Sequence, residues 1–375
     1  MSKLLEQINR ESKPYFVGDL ADIKYGFGLP EPKRIKGSIP VYASSGVVGY
    51  HNEAKVDKPA IIIGRKGNVG SLYFSQQPSF PIDTAFFIDE PKEGFDLKYI
   101  FYLLKRINLP RYGGDSAVPG LSRDTVYGLQ VETPKLETQK KIAEILSAYD
   151  AKIENNNKII KNLEAAAQII FNEWFVNFKF PGYKKVKMVE SEMGEIPDGW
   201  KVGNLSDVAH IVMGQSPTSN HYNDKKMGLP FHQGVTYFGD RYPEDVVYST
   251  GGEKIAEEND ILISVRAPVG RINIANQKMI IGRGLSAVRS KNNQQYFLLY
   301  LLKTLFHKED LFGGGSVFPS ITKGEFEKLK INVPSNNISI LFDKKVSSFD
   351  LEIKNLIKEN IFLKSQRDQL LAKLI

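Results

Sequence analysis

The chain reads twice over, and this constrains the fold more than any other feature, because a sequence of 375 residues that repeats must build one architecture two times. Gly18-Asp19-Leu20-Ala21-Asp22-Ile23 returns as Gly203-Asn204-Leu205-Ser206-Asp207-Val208, 185 positions later. The offset then widens to about 200, with Ile61-Ile62-Ile63 and Val69-Gly70 returning as Ile261-Leu262-Ile263 and Val269-Gly270. Tyr102-Leu103-Leu104-Lys105 returns as Tyr300-Leu301-Leu302-Lys303. Gly113-Gly114-Asp115-Ser116 with Pro119 returns as Gly313-Gly314-Gly315-Ser316 with Pro319, Pro134 as Pro334 and Asp150 as Asp350. The step in offset gives the second copy about 15 additional residues, between Gln215 and Glu258. Charge repeats as well: split after Phe180, the halves carry +3 and +4 of the net +7.

Each copy has two textures. Short apolar runs broken by Gly, Pro, Asn and Ser predict strands over 61–64, 71–74, 84–88, 261–264 and 285–288. Helical apolar spacing over 96–106 and 296–306 makes the globular part α+β. A long helix follows each globular part. Tyr149, Ile153, Asn156, Ile160, Leu163, Ala167, Ile170 and Trp174 follow a 3-4 heptad spacing in the first. Phe349, Ile353, Leu356, Asn360, Leu363, Arg367 and Leu370 follow the same frame in the second. A helix of about 35 residues is roughly 50 Å long, and its apolar stripe must be covered. The economical cover is the other copy, which predicts two similar globular domains separated by an antiparallel intramolecular coiled coil with pseudo-twofold symmetry. The alternative is two surface helices, each on its own domain. The expected boundaries are an extension over 1–14, a domain over 15–135, a helix over 136–180, a second domain over 181–334 and a second helix over 335–375.

Most catalytic chemistry finds no residues to carry it. The absence of cysteine excludes disulfides, thiolate metal sites and cysteine nucleophiles. There is no Gly-Lys dipeptide for a P-loop, and no Pro-Pro for the Asn-Pro-Pro-aromatic loop of DNA amino-methyltransferases. His51, His210, His221, His232 and His307 lack metal-pair spacing, so neither a catalytic nor a metal set is expected. No apolar run is long enough for a membrane span and Met1–Lys13 has no apolar signal core, so a cytoplasmic protein is expected.

The modest basic excess and its placement suggest a polyanion instead. Arg65-Lys66-Gly67-Asn68-Val69-Gly70 recurs as Val265-Arg266-Ala267-Pro268-Val269-Gly270, with a cation at Lys66 and again at Arg266 where no turn rule demands one. Arg123 and Lys323 are further candidate cations, and Arg271, Arg283 and Arg289 gather near the second copy's strands. Arg and Lys hold DNA through phosphates and guanine edges. Among polar loop residues, Ser44 and Ser45 in 40–50 and Gln215, Ser216, His232 and Gln233 in 215–238 are candidate base readers. With Arg65, Lys66, Asn68, Arg123, Arg266, Arg271, Arg283 and Lys323 they form the candidate DNA-binding set.

Several strings, in order and twice, each time ahead of a heptad helix, resemble the DNA-specificity subunit of type I restriction-modification enzymes. They are Arg65–Gly70, Pro81-Ile82-Asp83-Thr84-Ala85-Phe86, Gly120-Leu121-Ser122-Arg123, Pro134-Lys135-Leu136-Glu137-Thr138-Gln139, Gly214-Gln215-Ser216-Pro217, Leu229-Pro230-Phe231-His232-Gln233-Gly234, Ser264–Gly270 and Ile281-Gly282-Arg283-Gly284. The resemblance implies two target-recognition domains reading an asymmetric bipartite target in double-stranded DNA. It implies helices that dock two adenine N6-methyltransferase subunits, and separate restriction (motor-nuclease) subunits. S-adenosylmethionine, ATP and magnesium would then belong to those partners, with no cofactor in this chain. One departure is Asn336-Asn337-Ile338-Ser339 where the first copy has Leu136-Glu137-Thr138-Gln139. A free-standing DNA nuclease or methyltransferase and a coiled-coil protein-binding scaffold are the competing readings.

Overall fold

The computed structural model describes residues 2–113, 120–307 and 320–375. The repeated strings at 114–119 and 313–319, and the side chain of His307, lie outside the described residues. The chain forms two compact units, one from the chain up to Asn157 with Ile357–Ile375, the other from Lys158–Leu356.

In the first unit, Lys24–Tyr25 (β1), Ala60–Gly64 (β2), Leu72–Ser75 (β3) and Ala85–Ile88 (β4) form an antiparallel sheet in the order β1-β4-β2-β3. The unbroken apolar run Ala60-Ile61-Ile62-Ile63 suits a central strand, and it is fully buried. Ile61, Ile63, Phe86 and Ile88 face the helix Leu97–Ile107 (α1), which buries Tyr99, Ile100, Tyr102, Leu103 and Leu104 in one core. Asp96 caps that helix, accepting the Tyr99 amide at 2.8 Å. Asn108, at φ 61°, ends it in the left-handed conformation that Asn tolerates. The helix Leu136–Phe171 (α2) places Ile142, Ala143 and Leu146 in the same core. So does the far end of the chain, with Leu371 and Leu374 buried there.

The second unit repeats the plan. Ala209–Met213 (β5), Ile261–Ser264 (β6), Ile272–Ile274 (β7) and Leu285–Ser290 (β8) pair in the order β5-β8-β6-β7. The helix Gln295–His307 (α3) covers them. A second sheet of this unit has short strands at Tyr222–Asn223, Leu229–His232 and Tyr248–Ser249, of which Leu229–His232 runs parallel to Met279–Ile281 as Ile39–Ala43 does to Phe80–Pro81 in the first unit. Phe171 and Phe175 pack with Phe297, Phe342 and Trp200, with the Phe175 ring 4.9 Å from Phe297 and 5.3 Å from Phe342. Phe342 belongs to the helix Asn336–Leu374 (α4), which starts at Asn336 even though Asn336-Asn337-Ile338-Ser339 departs from the first copy. Gln294 donates to Asn336 at that start.

Within each unit the two long helices run antiparallel. In the first, Asp150 meets Arg367 and Asn156 meets Asn360; in the second, Phe171 meets Phe342. Partners descend along α4 as they ascend along α2, so the helices cover each other as a coiled coil and are not separate surface helices. Ile153, Asn156, Ala167, Ile353, Leu356 and Asn360 are buried. Tyr149, Ile160, Leu163, Ile170, Trp174, Phe349, Leu363, Arg367 and Leu370 are half-buried. The polar seam positions have partners: Asn156 Nδ2 donates to Asn360 Oδ1 at 2.9 Å, and Asn360 Nδ2 donates to Asn157 Oδ1 at 2.9 Å. Arg367 pairs with Asp150, whose other oxygen accepts the Tyr102 hydroxyl at 2.6 Å.

In the heptad frame Ala167 stands where Arg367 does in the other helix. The second unit restores the missing guanidinium from its additional segment: Arg241 binds Glu164 and Asp350, and Asp350 accepts the Tyr296 hydroxyl at 2.8 Å. Both units therefore fasten helix to globular part through an Asp-Tyr-Arg cluster. The Arg241–Asp350 pair is buried, whereas the Arg367–Asp150 pair is partly exposed.

Candidate nucleic-acid interface

Sheet register shows which residues of the two copies are equivalent. Tyr25 lies opposite Phe86, and Met213 opposite Ser286. Ile63 and Gly64 lie opposite Phe86 and Ala85; Ile263 and Ser264 lie opposite Ser286 and Leu285. The 64–70 turn and its counterpart match bond for bond: Gly70 N donates to Gly64 O at 2.8 Å, and Gly270 N to Ser264 O at 2.9 Å. Gly70 and Gly270 have φ of +73° and +85°, which glycine adopts without strain. Beyond each turn the chain returns as an isolated bridge, Lys66 with Gly120 and Arg266 with Ser320. A second glycine pair explains why β1 and β5 can end so close to the next turn. A Cβ on Gly26 would lie 2.1 Å from the Ile82 carbonyl, and one on Gly214 would lie 2.2 Å from that of Gly282.

One arrangement of turns and bridges is thus built twice, with different side chains. In the first unit the half-exposed Tyr25 ring has the Arg65 guanidinium 5.0 Å from its centroid and that of Arg123 at 5.2 Å. Arg65 also donates to the Asp83 carbonyl at 3.1 Å, and Arg123 lies 5.7 Å from Tyr127. Stacking holds these cations in place without neutralising them, leaving their charge available to an anion. Lys66 and Asn68 are exposed on the adjoining turn.

In the second unit, Met213, Val265 and Ile321 make an apolar floor flanked by Arg266, Arg283, Ser320 and Thr322, in a cleft of about 510 Å3. Ser216 accepts the Arg283 amide at 3.3 Å and donates to Gln233 at 3.2 Å, tying the 215 and 233 loops to the Arg283 turn. Gln215, Gln233, Arg266, Arg271 and Arg283 are exposed. Lys323 is exposed too, and pairs with Glu327 at 3.5 Å.

Two candidate residues, Ser44 and His232, are buried, and Arg289, outside the candidate set, is paired. Ser44 is 7% exposed, its carbonyl accepts the Ser71 hydroxyl, and it supports the hairpin turn on which Ser45 is exposed. His232 is 1% exposed, with Nε2 2.9 Å from Asp245 Oδ1, and Gln277 holds the other oxygen at 2.6 Å. A buried side chain whose reach ends on a carboxylate cannot touch a base edge, so His232 supports the strand end before Gln233. Arg289 is committed to Asp260 through two bonds, of 2.6 and 2.8 Å. Sequence reasoning missed Tyr25, which only sheet register shows to be the counterpart of Met213, and the exposed hairpin residues Val47, Val48 and Tyr50. Among the described residues there is no group of three or more potential metal ligands and no helix long and apolar enough to cross a membrane.

The α+β unit is duplicated with cations on the same turn in both copies, and the chain belongs to a known family of DNA-specificity proteins: the model of the type I restriction modification DNA specificity domain matches residues 9–165 and again 197–363. Over 276 residues it is 38% identical to the putative type I restriction enzyme MjaX specificity subunit of Methanocaldococcus jannaschii, covering 70% of this chain and 64% of that protein. The MjaIX specificity subunit of the same organism is 25% identical over 97% of this chain and 87% of its own length. The fold is also that of the type I restriction-modification S subunit from M. genitalium, with a TM-score of 0.59 at 18% identity over 97% of this chain and 96% of that one.

Proposed function

We propose that this chain is the non-catalytic DNA-reading subunit of a type I restriction-modification enzyme, with one globular unit reading each half of an asymmetric bipartite target. The observation that carries the reading is the cationic turn-and-bridge arrangement built twice on one backbone with different side chains, since equal scaffolds with unequal side chains suit two unequal half-sites. Lys and Arg at the turns position the duplex through phosphates, and the variable linings read bases. The central helices set the gap between half-sites and dock two methyltransferase subunits. Ile169 on α2 and Leu351, Ile361 and Phe362 on α4, all 62–64% exposed, support partner contact along both helices. S-adenosylmethionine, ATP and magnesium serve the methyltransferase and restriction subunits, and the complex works in the cytoplasm.

The test is duplex affinity of the complex with its methyltransferase subunits at several salt concentrations. Neutralised phosphates give a straight fall of log affinity on log salt, with a slope of about −0.9 per phosphate contacted. An affinity indifferent to salt contradicts the reading and favours a protein-binding scaffold.

A further inference from the structure

Positions 83 and 283 hold the same place in the two copies and carry opposite charge. Each is the first residue of the turn leading into the strand that follows, Ala85–Ile88 or Leu285–Ser290. The turns close alike, Ala85 N donating to Ile82 O at 2.9 Å and Leu285 N to Gly282 O at 3.0 Å. They are held to the neighbouring loop alike, by Arg65 N on Thr84 O at 2.9 Å and Val265 N on Gly284 O at 2.9 Å. Both side chains are exposed.

Folding explains neither charge. Among the described residues neither side chain has an ion pair or hydrogen bond: the Arg65 guanidinium beside Asp83 takes its carbonyl and the Tyr25 ring, and only the backbone amide of Arg283 is engaged. The cleft of the second copy sets two guanidiniums, Arg266 and Arg283, above an apolar floor with no carboxylate in its lining. Such a lining calls for a flat ligand edge rich in acceptors. The first copy keeps a carboxylate beside cations with which it does not pair, and so keeps an acceptor ready for an amino group.

Resting on the two-reader function proposed above, we infer that residues 83 and 283 are the specificity-determining pair of the two copies. Arg283 donates to the O6 and N7 acceptors of a guanine in one half-site, and Asp83 accepts from the exocyclic amino group of a cytosine in the other. A guanidinium could equally serve a phosphate, and the two ligands differ in outcome: loss of a base contact changes one position of the target, whereas loss of a phosphate contact weakens every sequence alike.

The experiment is selection from randomised duplexes by the full chain in complex with its methyltransferase subunits, at one salt concentration, for wild type and for Arg283→Asp, Arg283→Gln and Asp83→Arg. The expected result for Arg283→Asp is a roughly ten- to hundredfold loss of preference for guanine at one position of one half-site, the other half unchanged. Asp83→Arg should move a cytosine position in the opposite half by a similar factor. If the charge reversal at 283 melts early and does not fold, Arg283→Gln keeps the turn and should relax the same position. A motif that stays intact in the variants, whether affinity is unchanged or falls for all sequences alike, overturns the inference while leaving DNA reading standing. A wild-type complex that selects no motif overturns both.

Discussion

Asp343 caps α3 from the neighbouring long helix, accepting the backbone amides of Tyr296 at 3.1 Å and Phe297 at 2.7 Å. Burial outweighs those bonds and pushes its pKa from 3.8 up to about 6. The folded chain therefore holds this proton more tightly than the unfolded chain, so the contribution is complete below about pH 4 and is lost as pH rises through about 6. Asp343→Asn keeps an acceptor for the amides and removes the charge. It should melt a few degrees above wild type at pH 7.5, with the gap closing toward pH 5; a gap independent of pH in thermal scans would refute this. Of the candidate site, sequence showed what the repeat could align: Lys66 with Arg266 and Arg123 with Lys323 sit at a constant offset in unbroken strings. It could not show Tyr25 as the counterpart of Met213, because the offset drifts by about 12 residues between the two stretches. Burial hid Ser44 and His232 in another way, since a loop Ser or His looks the same whether it faces solvent or a carboxylate.

At the scale of elements, the heptad spacing revealed the long helices and their shared frame, because a sustained 3-4 repeat of apolar residues lines one side of a helix and suits neither a strand nor a loop. What it could not reveal is where the ends go. Leu374, 1% exposed, packs with the first unit's sheet and helix and not with the domain that precedes it in sequence. Leu374→Ala should destabilise the first unit by about 2–3 kcal/mol. Hydrogen exchange should quicken at Ile61–Ile63 and stay unchanged at Ile261–Ile263; acceleration in the second set instead would contradict the assignment of this helix end. The Asn156–Asn360 pair gives a second test. Asn156→Leu leaves Asn360 short of its partner and should cost about 1–3 kcal/mol in urea unfolding, and adding Asn360→Leu should recover most of it. Additive losses would show that the two amides do not depend on each other. Arg241 was beyond reach, since nothing in a divergent loop marks one arginine as the substitute for a seam residue of the opposite helix.

At the scale of the molecule, two units of one plan carry nearly equal charge and unequal side chains on their equivalent turns, and the central claim is that each unit reads its own half of the target. Co-expressing the chain with its methyltransferase subunit in a host without DNA methylation, and mapping N6-methyladenine across the genome, tests that claim most directly. The account requires an asymmetric motif in two parts with a fixed gap, of which one part alone changes when either globular unit is replaced. An ungapped or symmetric motif, or one in which both parts change together, would contradict it.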